Sequence, residues 1–332
     1  MSIDMNKNYF KLLKGFRRQD LAQFVDDHDR LFKVAKDTED HLAVTSHYYS
    51  VMSSVINDFF GGNFHFAAPK DKTGTMEQAL YDLHQYIGQK LDLKSDVSCL
   101  DIGCGIGGVI KDLANTEATL TGITIAPNEA EMGNEDMRAL GISERCSLVV
   151  GDCHNMPLNN QSFDAAYAVY ALKYFPRLSG VVKEVSRILK PNGKFLIYDL
   201  IKTDKYDEKN EEHRQCVEGL EYACGMPSLH TKEEMVQAAA DYGLELIEEE
   251  DLSEINGSSY HYCFSHSPLF MWLVRSPAIG HLIRLGESLN ILPKGFLQFN
   301  KIFLAGTVDK IVRGGEMGIL SGSQIFVFQK KN

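Results

Sequence analysis

Val97-Ser98-Cys99-Leu100-Asp101-Ile102-Gly103-Cys104-Gly105-Ile106-Gly107-Gly108 is the stretch whose reading decides the rest of this chain. Its first half, 97–102, is short and mostly apolar with β-branched residues at each end, the pattern of a buried strand. Four glycines follow, and a helical pattern opens at once in Val109-Ile110-Lys111-Asp112-Leu113. Glycine is needed where a strand turns sharply into a helix and a ligand lies against the backbone, because a Cβ would clash there. The helix start then offers free N–H groups to a polar or anionic ligand. This is the pattern of a nucleotide-type cofactor loop. Gly103-x-Gly105-x-x-Gly108 also satisfies the dinucleotide fingerprint, which by itself is a weak signal. A dehydrogenase would carry an acid about twenty residues on, for the adenosine ribose. The next strand, Leu120-Thr121-Gly122-Ile123-Thr124-Ile125, ends without one. The acid lies instead inside the motif, at Asp101.

Downstream of the loop, strands and helices alternate. Strands are expected near 97–102, 118–125, 146–150, 163–170 and 194–200, and helices near 107–115, 127–140 and 178–189. Such alternation implies a parallel sheet covered on both faces. Leu189-Lys190-Pro191-Asn192-Gly193 reads as a helix end running into a turn. Thr231-x-x-Glu234 caps a further helix to Asp241, then come strands over 244–250 and 324–329. About seventy residues rich in Phe, Leu, Ile, Gly and Pro, roughly 252–321, separate these last two strands. Upstream, helical spacing of apolar residues covers 9–35 and 41–56, and Thr75-x-x-Gln78 opens a helix to about Lys90. The acidic runs 207–212 and 248–251 read as solvated faces.

With 332 residues, 44% of them apolar, the chain has material for about two domains and a sizeable core. Its net charge of −11 and the lack of a Lys/Arg cluster argue against nucleic acid, whose phosphates demand concentrated positive charge. Seven scattered cysteines, with no C-x-x-C pair and no zinc-type His spacing, point to a reduced chain without a structural metal. The N-terminus lacks the apolar core of a secretory signal, and no apolar run approaches the length of a membrane span.

The acid two residues before the first glycine resembles motif I of the S-adenosylmethionine (SAM) methyltransferases, where it helps orient the methionine end of the cofactor. Further stretches narrow the resemblance. Asp101 to Gly108, Gly122-Ile123-Thr124-Ile125, Ile197-Tyr198-Asp199, Thr203 to Asp207, Glu212-His213-Arg214, Leu292-Pro293-Lys294-Gly295 and Gly314 to Ile319 are similar to the sterol methyltransferases. The similarity runs from about Tyr48 to the end. It implies an α/β, class I fold: a Rossmann-like, seven-stranded, mostly parallel sheet with N-terminal helices and a C-terminal sterol-specific insertion. Three regions follow: an N-terminal lid over 1–92, a SAM-binding core over 93–251, and a sterol-specific region over 252–332 that includes the last core strand. SAM would be the cofactor, a sterol the substrate, and no metal would be needed. The implied location is cytoplasmic, with contact to the endoplasmic reticulum membrane left open, as is a homo-oligomer.

Two departures bear on the reaction. The family's first aromatic signature is shortened here to 57–63, although Phe64-His65-Phe66 is kept. Its signature on the fourth strand becomes Tyr167-Ala168-Val169-Tyr170-Ala171-Leu172-Lys173-Tyr174-Phe175-Pro176, with Tyr170 in place of the family's glutamate and Tyr174 in place of its histidine. Methyl transfer to the side-chain C24 double bond leaves a carbocation that an acid could steady. Its loss favours the divergent branch of the family that methylates C4 of the A ring. C24 methylation and a non-catalytic sterol- or SAM-binding protein are the alternatives.

The candidate cofactor contacts are Asp101, Gly103, Cys104 and Gly105, then Thr124 and Ile125, where the family meets the ribose, then Asp152 and Cys153 after the third strand. Thr124 reads also as an ordinary strand residue, and Asp152 is suited to capping a turn. The candidate catalytic residues are Tyr170, His65 and Tyr174, as oxyanion donors or base. His65 reads equally as a satisfied buried histidine. Phe59, Phe60, Phe64 and Phe66 could line the site, where ring faces steady a cation by ~0.5–2 kcal/mol each, or could simply be core. Lys173 is either a substrate contact or a surface charge.

Overall fold

The computed structural model describes residues 16, 20–60, 63 and 65–331, without the side chains of 53–60. Helices α1 (Leu21–Thr38), α2 (Leu42–Phe60) and α3 (Met76–Lys90) precede the sheet. Asp20 caps α1 and Thr75 caps α3, each accepting from the backbone N–H three residues on. Then come β1 (Ser98–Ile102), α4 (Gly108–Leu113), β2 (Thr119–Thr124), α5 (Pro127–Ala139), β3 (Cys146–Val150), β4 (Phe163–Val169), α6 (Leu178–Ile188) and β5 (Leu189–Lys202). The core finishes with α7 (Glu211–Cys224), α8 (Lys232–Asp241), β6 (Leu244–Asp251) and, after an insertion, β7 (Leu320–Lys330).

The seven strands form one sheet in the order β3-β2-β1-β4-β5-β7-β6. β1 to β5 pair in parallel, while β7 runs antiparallel to both of its neighbours. The expected seven-stranded, mostly parallel sheet is therefore present. Its inner strands β1, β4 and β7 are largely buried on both faces, as a helix-covered sheet requires, whereas the edge strands β3 and β6 alternate buried and exposed residues. Along β1, Leu100 and Ile102 pack into the core with Val181 and Val185 of α6. Cys99 turns the other way, into the core shared with α3, α4 and the N-terminal helices. The order of the strands reverses at β1 and β4, and ligands of such sheets bind at the carboxyl ends of the strands beside that switch.

The insertion is helical: α9 (Leu252–Asn256), α10 (Tyr262–Ser265), α11 (Pro268–Arg275), α12 (Pro277–Ser288), α13 (Phe296–Phe299), a π-helical turn over 300–304, and α14 (Ala305–Glu316). Phe296, Phe299 and Phe303 are fully buried there, against Phe16 and Phe24.

Two expectations need correction, and one helix went unread. The Pro-Asn-Gly turn at 191–193 does not separate α6 from β5. Leu189 already pairs with Phe163, and the turn is absorbed as a bulge before Lys194 pairs with Ala165, with Asn192 at φ 63°. The acidic run at 207–212 is exposed throughout, as expected, and it leads into a helix, α7, that the sequence reading did not place. Asn210 caps it, and Glu211 and Glu212 occupy its first turn, where the helix dipole favours negative charge. The run at 248–251, by contrast, is not a solvated face. Glu248 and Glu250 hold Lys90 of α3, and Asp251 accepts from Ser321 at 2.7 Å.

Candidate active site

At the carboxyl end of β1 the chain enters a run of left-handed glycines, with φ of 73° at Gly103, 52° at Gly105 and 75° at Gly107. Only glycine adopts such angles freely. A Cβ on Gly103 would lie 2.7 Å from Cβ of Ala171, so the loop is pressed against the segment that follows β4. A Cβ on Gly105 would meet nothing within 4 Å, which leaves open space over its backbone. Beneath the loop, Asp101 is 3% exposed and accepts from the Tyr167 hydroxyl at 3.1 Å. Burial pushes its carboxyl up to about 7, with the Tyr167 hydrogen bond acting the other way. An open backbone cradle above a buried acid fits a ligand that is polar and positively charged at one end. SAM, with its sulfonium and α-amino groups, is such a ligand.

The other cofactor candidates surround this cradle. Cys104 is half-buried, and its side chain packs where a Cβ on Gly122 would fall, 2.6 Å from Sγ. Thr124 is buried at the end of β2 and donates to Glu129 at 2.7 Å, while Ile125 is 55% exposed. Glu129 brings to this strand end the carboxylate that the strand itself lacks. It escaped the sequence reading because it lies in the first turn of α5, and the sequence clue is a Thr-x-x-x-x-Glu spacing across a strand-helix turn. Cys153 is buried close to the Gly103 backbone, and burial pushes its thiol up to about 12. Asp152 accepts from the His154 backbone N–H at 2.8 Å and contacts its ring at 3.0 Å, so it does cap a turn.

The segment after β4 is built from β5. Asp199 is fully buried, and one of its carboxylate oxygens accepts from the backbone N–H groups of Leu172 and Lys173 at 2.8 and 3.2 Å. This fixes a 3-10 turn over Leu172–Tyr174. Tyr170, just before it, has φ 54°, a left-handed conformation that an aromatic residue rarely adopts. Lys173 is no surface charge. It is 2% exposed, and its ammonium donates to the Tyr170 carbonyl at 2.5 Å and lies 3.6 Å from Asp199. The same ammonium sits 4.0 Å from the ring centre of Tyr170 and 5.0 Å from that of Tyr174. Burial pulls it down to about 8, with Asp199 opposing.

The two tyrosines differ. The Tyr170 hydroxyl donates to the Gly322 carbonyl at 2.6 Å, so its hydrogen is already engaged. The Tyr174 hydroxyl accepts from Tyr49 of α2 at 2.8 Å, which leaves its own hydrogen to give. His65 is buried, with its ring 6.2 Å from that of Tyr170, and burial holds it well below the usual histidine range. Phe66 is buried with its ring edge-on to Tyr170 and Phe264. Phe59 and Phe60 end α2, but their side chains lie outside the described residues, as does all of Phe64. Sequence reasoning missed Tyr49, His84 and Asp199, each on an element remote in sequence from the residue it supports.

A cavity of about 730 Å³ lies between α11, α12 and α14, but none of its lining residues belongs to the glycine loop or the tyrosine turn. Among the described residues, no group of three His, Cys, Asp or Glu side chains is placed to hold a metal ion.

The sheet order, the cradle over Asp101 and the donor set at the end of β4 define a class I SAM-dependent methyltransferase. Residues 100–197 match the methyltransferase domain family. Over 332 residues the chain is 58% identical to the sterol 4-C-methyltransferase strm-1 of Caenorhabditis elegans, covering 100% of this chain and 99% of that one. It is 29% identical over 316 residues to the sterol 24-C-methyltransferase of Candida albicans, covering 90% of this chain and 84% of that one. Among solved structures, the geranyl diphosphate C-methyltransferase of Streptomyces coelicolor A3(2) superposes with a TM-score of 0.62 at 16% identity, over 81% of this chain and 91% of that one. The chain belongs to the sterol methyltransferase family.

Proposed function

We propose that this chain transfers a methyl group from SAM to C4 of a 3-oxo sterol. One observation carries the reading: the charge at the tyrosine turn is the buried ammonium of Lys173, stacked on the rings of Tyr170 and Tyr174. A fixed positive charge disfavours a developing side-chain carbocation and favours an oxyanion. Carbon is a poor nucleophile, and a 3-oxo group activates C4 by way of its enolate. Asp199 is no substitute for the missing glutamate, because its carboxylate is taken up by the backbone N–H groups of Leu172, Lys173 and Leu200.

In this scheme Asp101, Gly103, Cys104 and Gly105 hold the methionine end of SAM, and Thr124, Ile125, Asp152 and Cys153 bound its nucleoside end. The cofactor supplies an electrophilic methyl carbon whose sulfur leaves with the C–S electron pair. Tyr174, backed by Tyr49, donates to the sterol O3, and Lys173 steadies the charge that gathers there. Tyr170 acts by position: its hydroxyl fixes its ring against Gly322, and its carbonyl holds Lys173. His65, kept neutral by burial, takes the C4 proton. Phe59, Phe60, Phe64 and Phe66 contribute to the sterol wall.

A sterol is delivered from a bilayer, and the insertion has a surface suited to meeting one. Leu269 and Trp272 of α11, Leu282 and Leu285 of α12, and Leu289 and Ile291 beyond it are all more than half exposed. Arg284, Lys294 and Lys301 are exposed in the same stretch of chain. Apolar side chains accompanied by basic ones are the composition of an interfacial segment. No helix among the described residues is long and apolar enough to cross a membrane, so the contact proposed is peripheral.

The experiment is product identification by mass spectrometry and NMR with labelled SAM. A 3-oxo sterol with a saturated side chain should give the 4-methyl product, and the 3-hydroxy compound little or none. Methylation at C24 of a Δ24 sterol with no reaction on the 3-oxo compound would overturn the proposal. SAM binding without turnover on either substrate would make this a binding protein.

A further inference from the structure

Behind the tyrosine turn lies a chain of three side chains, of which the reaction described above uses only the first, His65. Nε2 of His65 is 2.7 Å from Nε2 of His84, and Nδ1 of His84 is 2.7 Å from Oδ2 of Asp112. His65 and His84 are buried, with 4% and 0% exposure, whereas the Asp112 side chain is 35% exposed. The three come from separate elements: the extended segment after α2, the middle of α3, and α4 directly behind the glycine loop. That segment is pinned where the Tyr198 hydroxyl donates to the Phe66 carbonyl at 2.7 Å, and where Asn256 donates to the Ala68 carbonyl at 2.7 Å.

The geometry dictates where the protons sit. An ionised carboxylate can only accept, so Nδ1 of His84 carries hydrogen and donates to Asp112. The neutral ring of His84 is then bare at Nε2 and can only accept there. His65 must accordingly donate from Nε2, which leaves its Nδ1 as a lone pair. Among the described residues that nitrogen has no hydrogen-bond partner. A histidine that merely satisfied the core would have no need of a second histidine and a carboxylate aligned behind its far nitrogen.

We propose that His65, His84 and Asp112 form a relay that carries the C4 proton from the buried site to solvent. The inference rests on the C4 reading given above. As the C4–H bond breaks, its electron pair passes into the enolate and the proton goes to Nδ1 of His65. The Nε2 proton of His65 moves to Nε2 of His84, and the Nδ1 proton of His84 moves to Asp112, which releases it to water. The enolate carbon then bonds to the methyl carbon of SAM, whose sulfur keeps the C–S pair. One proton leaves per methyl transferred, and no oxidant or metal is required. The starting tautomers return when the product departs and opens His65 to solvent: Asp112 takes a proton from water and passes it to Nδ1 of His84, the Nε2 proton of His84 moves to Nε2 of His65, and the Nδ1 proton of His65 goes to water. His65 is the catalytic base in this sequence, while His84 and Asp112 act through it as positioning and relay residues. The relay also solves a problem of burial. His65 is buried, so a proton held on it beneath a bound sterol has no direct route to solvent, and the nearby ammonium of Lys173 disfavours a second positive charge there.

The test is hydrogen exchange at C4, which needs no methyl transfer. A 3-oxo sterol is incubated with the full-length protein and S-adenosylhomocysteine in deuterium oxide, and deuterium at C4 is followed by NMR. The native protein should exchange this hydrogen. Asp112→Asn should slow exchange and turnover in parallel, by about 10²-fold if base catalysis is largely lost, while SAM affinity is unchanged. Formate, entering at the exposed end, should restore exchange to Asp112→Ala but not to His65→Phe. Native exchange with an undiminished Asp112→Asn rate would overturn the relay while leaving C4 methylation standing. So would a loss in that variant accompanied by loss of SAM binding, which would mark Asp112 as structural. If the native protein neither exchanges nor methylates C4, the C4 reading itself fails. Nitrogen-15 shifts then judge the relay independently: His84 protonated at Nδ1 and His65 at Nε2 are required, and the opposite tautomer at His65 would refute it.

Discussion

Asp101, placed in the proposed cofactor site, shows how burial would set the condition for cofactor capture. Because its carboxyl is raised to about 7, the free protein below neutrality holds a proton there that an unfolded chain would release. A cationic ligand over the loop prefers the ionised form, so binding expels that proton. SAM affinity should therefore rise with pH between about 6 and 8 and then level off, with proton uptake by buffer visible in calorimetry at the lower pH. In Asp101→Asn affinity should be weaker and this part of the pH slope absent. An unchanged slope in the variant would show that the acid does not sense the ligand. Lys173 and Asp199 pose the opposite problem, a buried ion pair with both members nearly inaccessible. Removing one member strands the other charge, which typically costs about 3–5 kcal/mol. Lys173→Met should lower denaturant stability by roughly that amount. The double variant Lys173→Met/Asp199→Asn should recover part of the loss, and a double variant no more stable than the single one would assign the cost to lost packing instead.

Elements differ in how openly the sequence displays them. The strand-loop-helix unit at 97–113 was legible because each of its demands has a residue signature: β-branched apolar residues for a buried strand, glycines for left-handed turns, an acid at a set offset. Gly105 is the sharpest case. It has open space where a side chain would go, and its φ of 52° is one that a β-branched residue strongly disfavours. Gly105→Val should abolish detectable SAM binding while circular dichroism shows the sheet intact, and normal affinity would remove the loop from the cofactor site. Helix α7 was not legible in the same way. Its start is a run of acids, and acidic runs look like solvated surface unless the capping role of Asn210 is recognised. The candidate site followed the same division. Tyr170, Tyr174 and Lys173 share one turn and were read together. The Asp199 carboxylate that shapes this turn, the Tyr49 hydroxyl behind Tyr174 and the His84–Asp112 pair behind His65 all arrive from other elements, over separations that no local spacing encodes.

On the scale of the whole molecule, the groups proposed as catalytic lie at the carboxyl end of the sheet, while the substrate proposed for them dissolves in lipid. The insertion between β6 and β7 addresses that mismatch. It buries Phe296, Phe299 and Phe303 against the N-terminal helices and leaves leucines of α11 and α12 in solvent. The chain contains a single tryptophan, Trp272, and it stands on this surface at 57% exposure. Its emission therefore reports directly on what covers the patch. The net charge of −11 opposes approach to an anionic bilayer, whereas each Lys or Arg near such a surface contributes about 1 kcal/mol of attraction. Arg284, Lys294 and Lys301 give the insertion that local advantage. Vesicles of phosphatidylcholine and phosphatidylserine should shift Trp272 emission to the blue and carry the protein with them on flotation, more weakly at high salt. Leu282→Glu/Leu285→Glu should abolish both effects and raise the apparent KM for sterol presented in vesicles. It should leave SAM affinity, and turnover on detergent-dispersed sterol, unchanged, because both leucines are more than half exposed on α12 and neither belongs to the proposed site. An emission spectrum indifferent to vesicles, with the protein remaining at the bottom of the flotation gradient, would rule out the bilayer as the partner of this face.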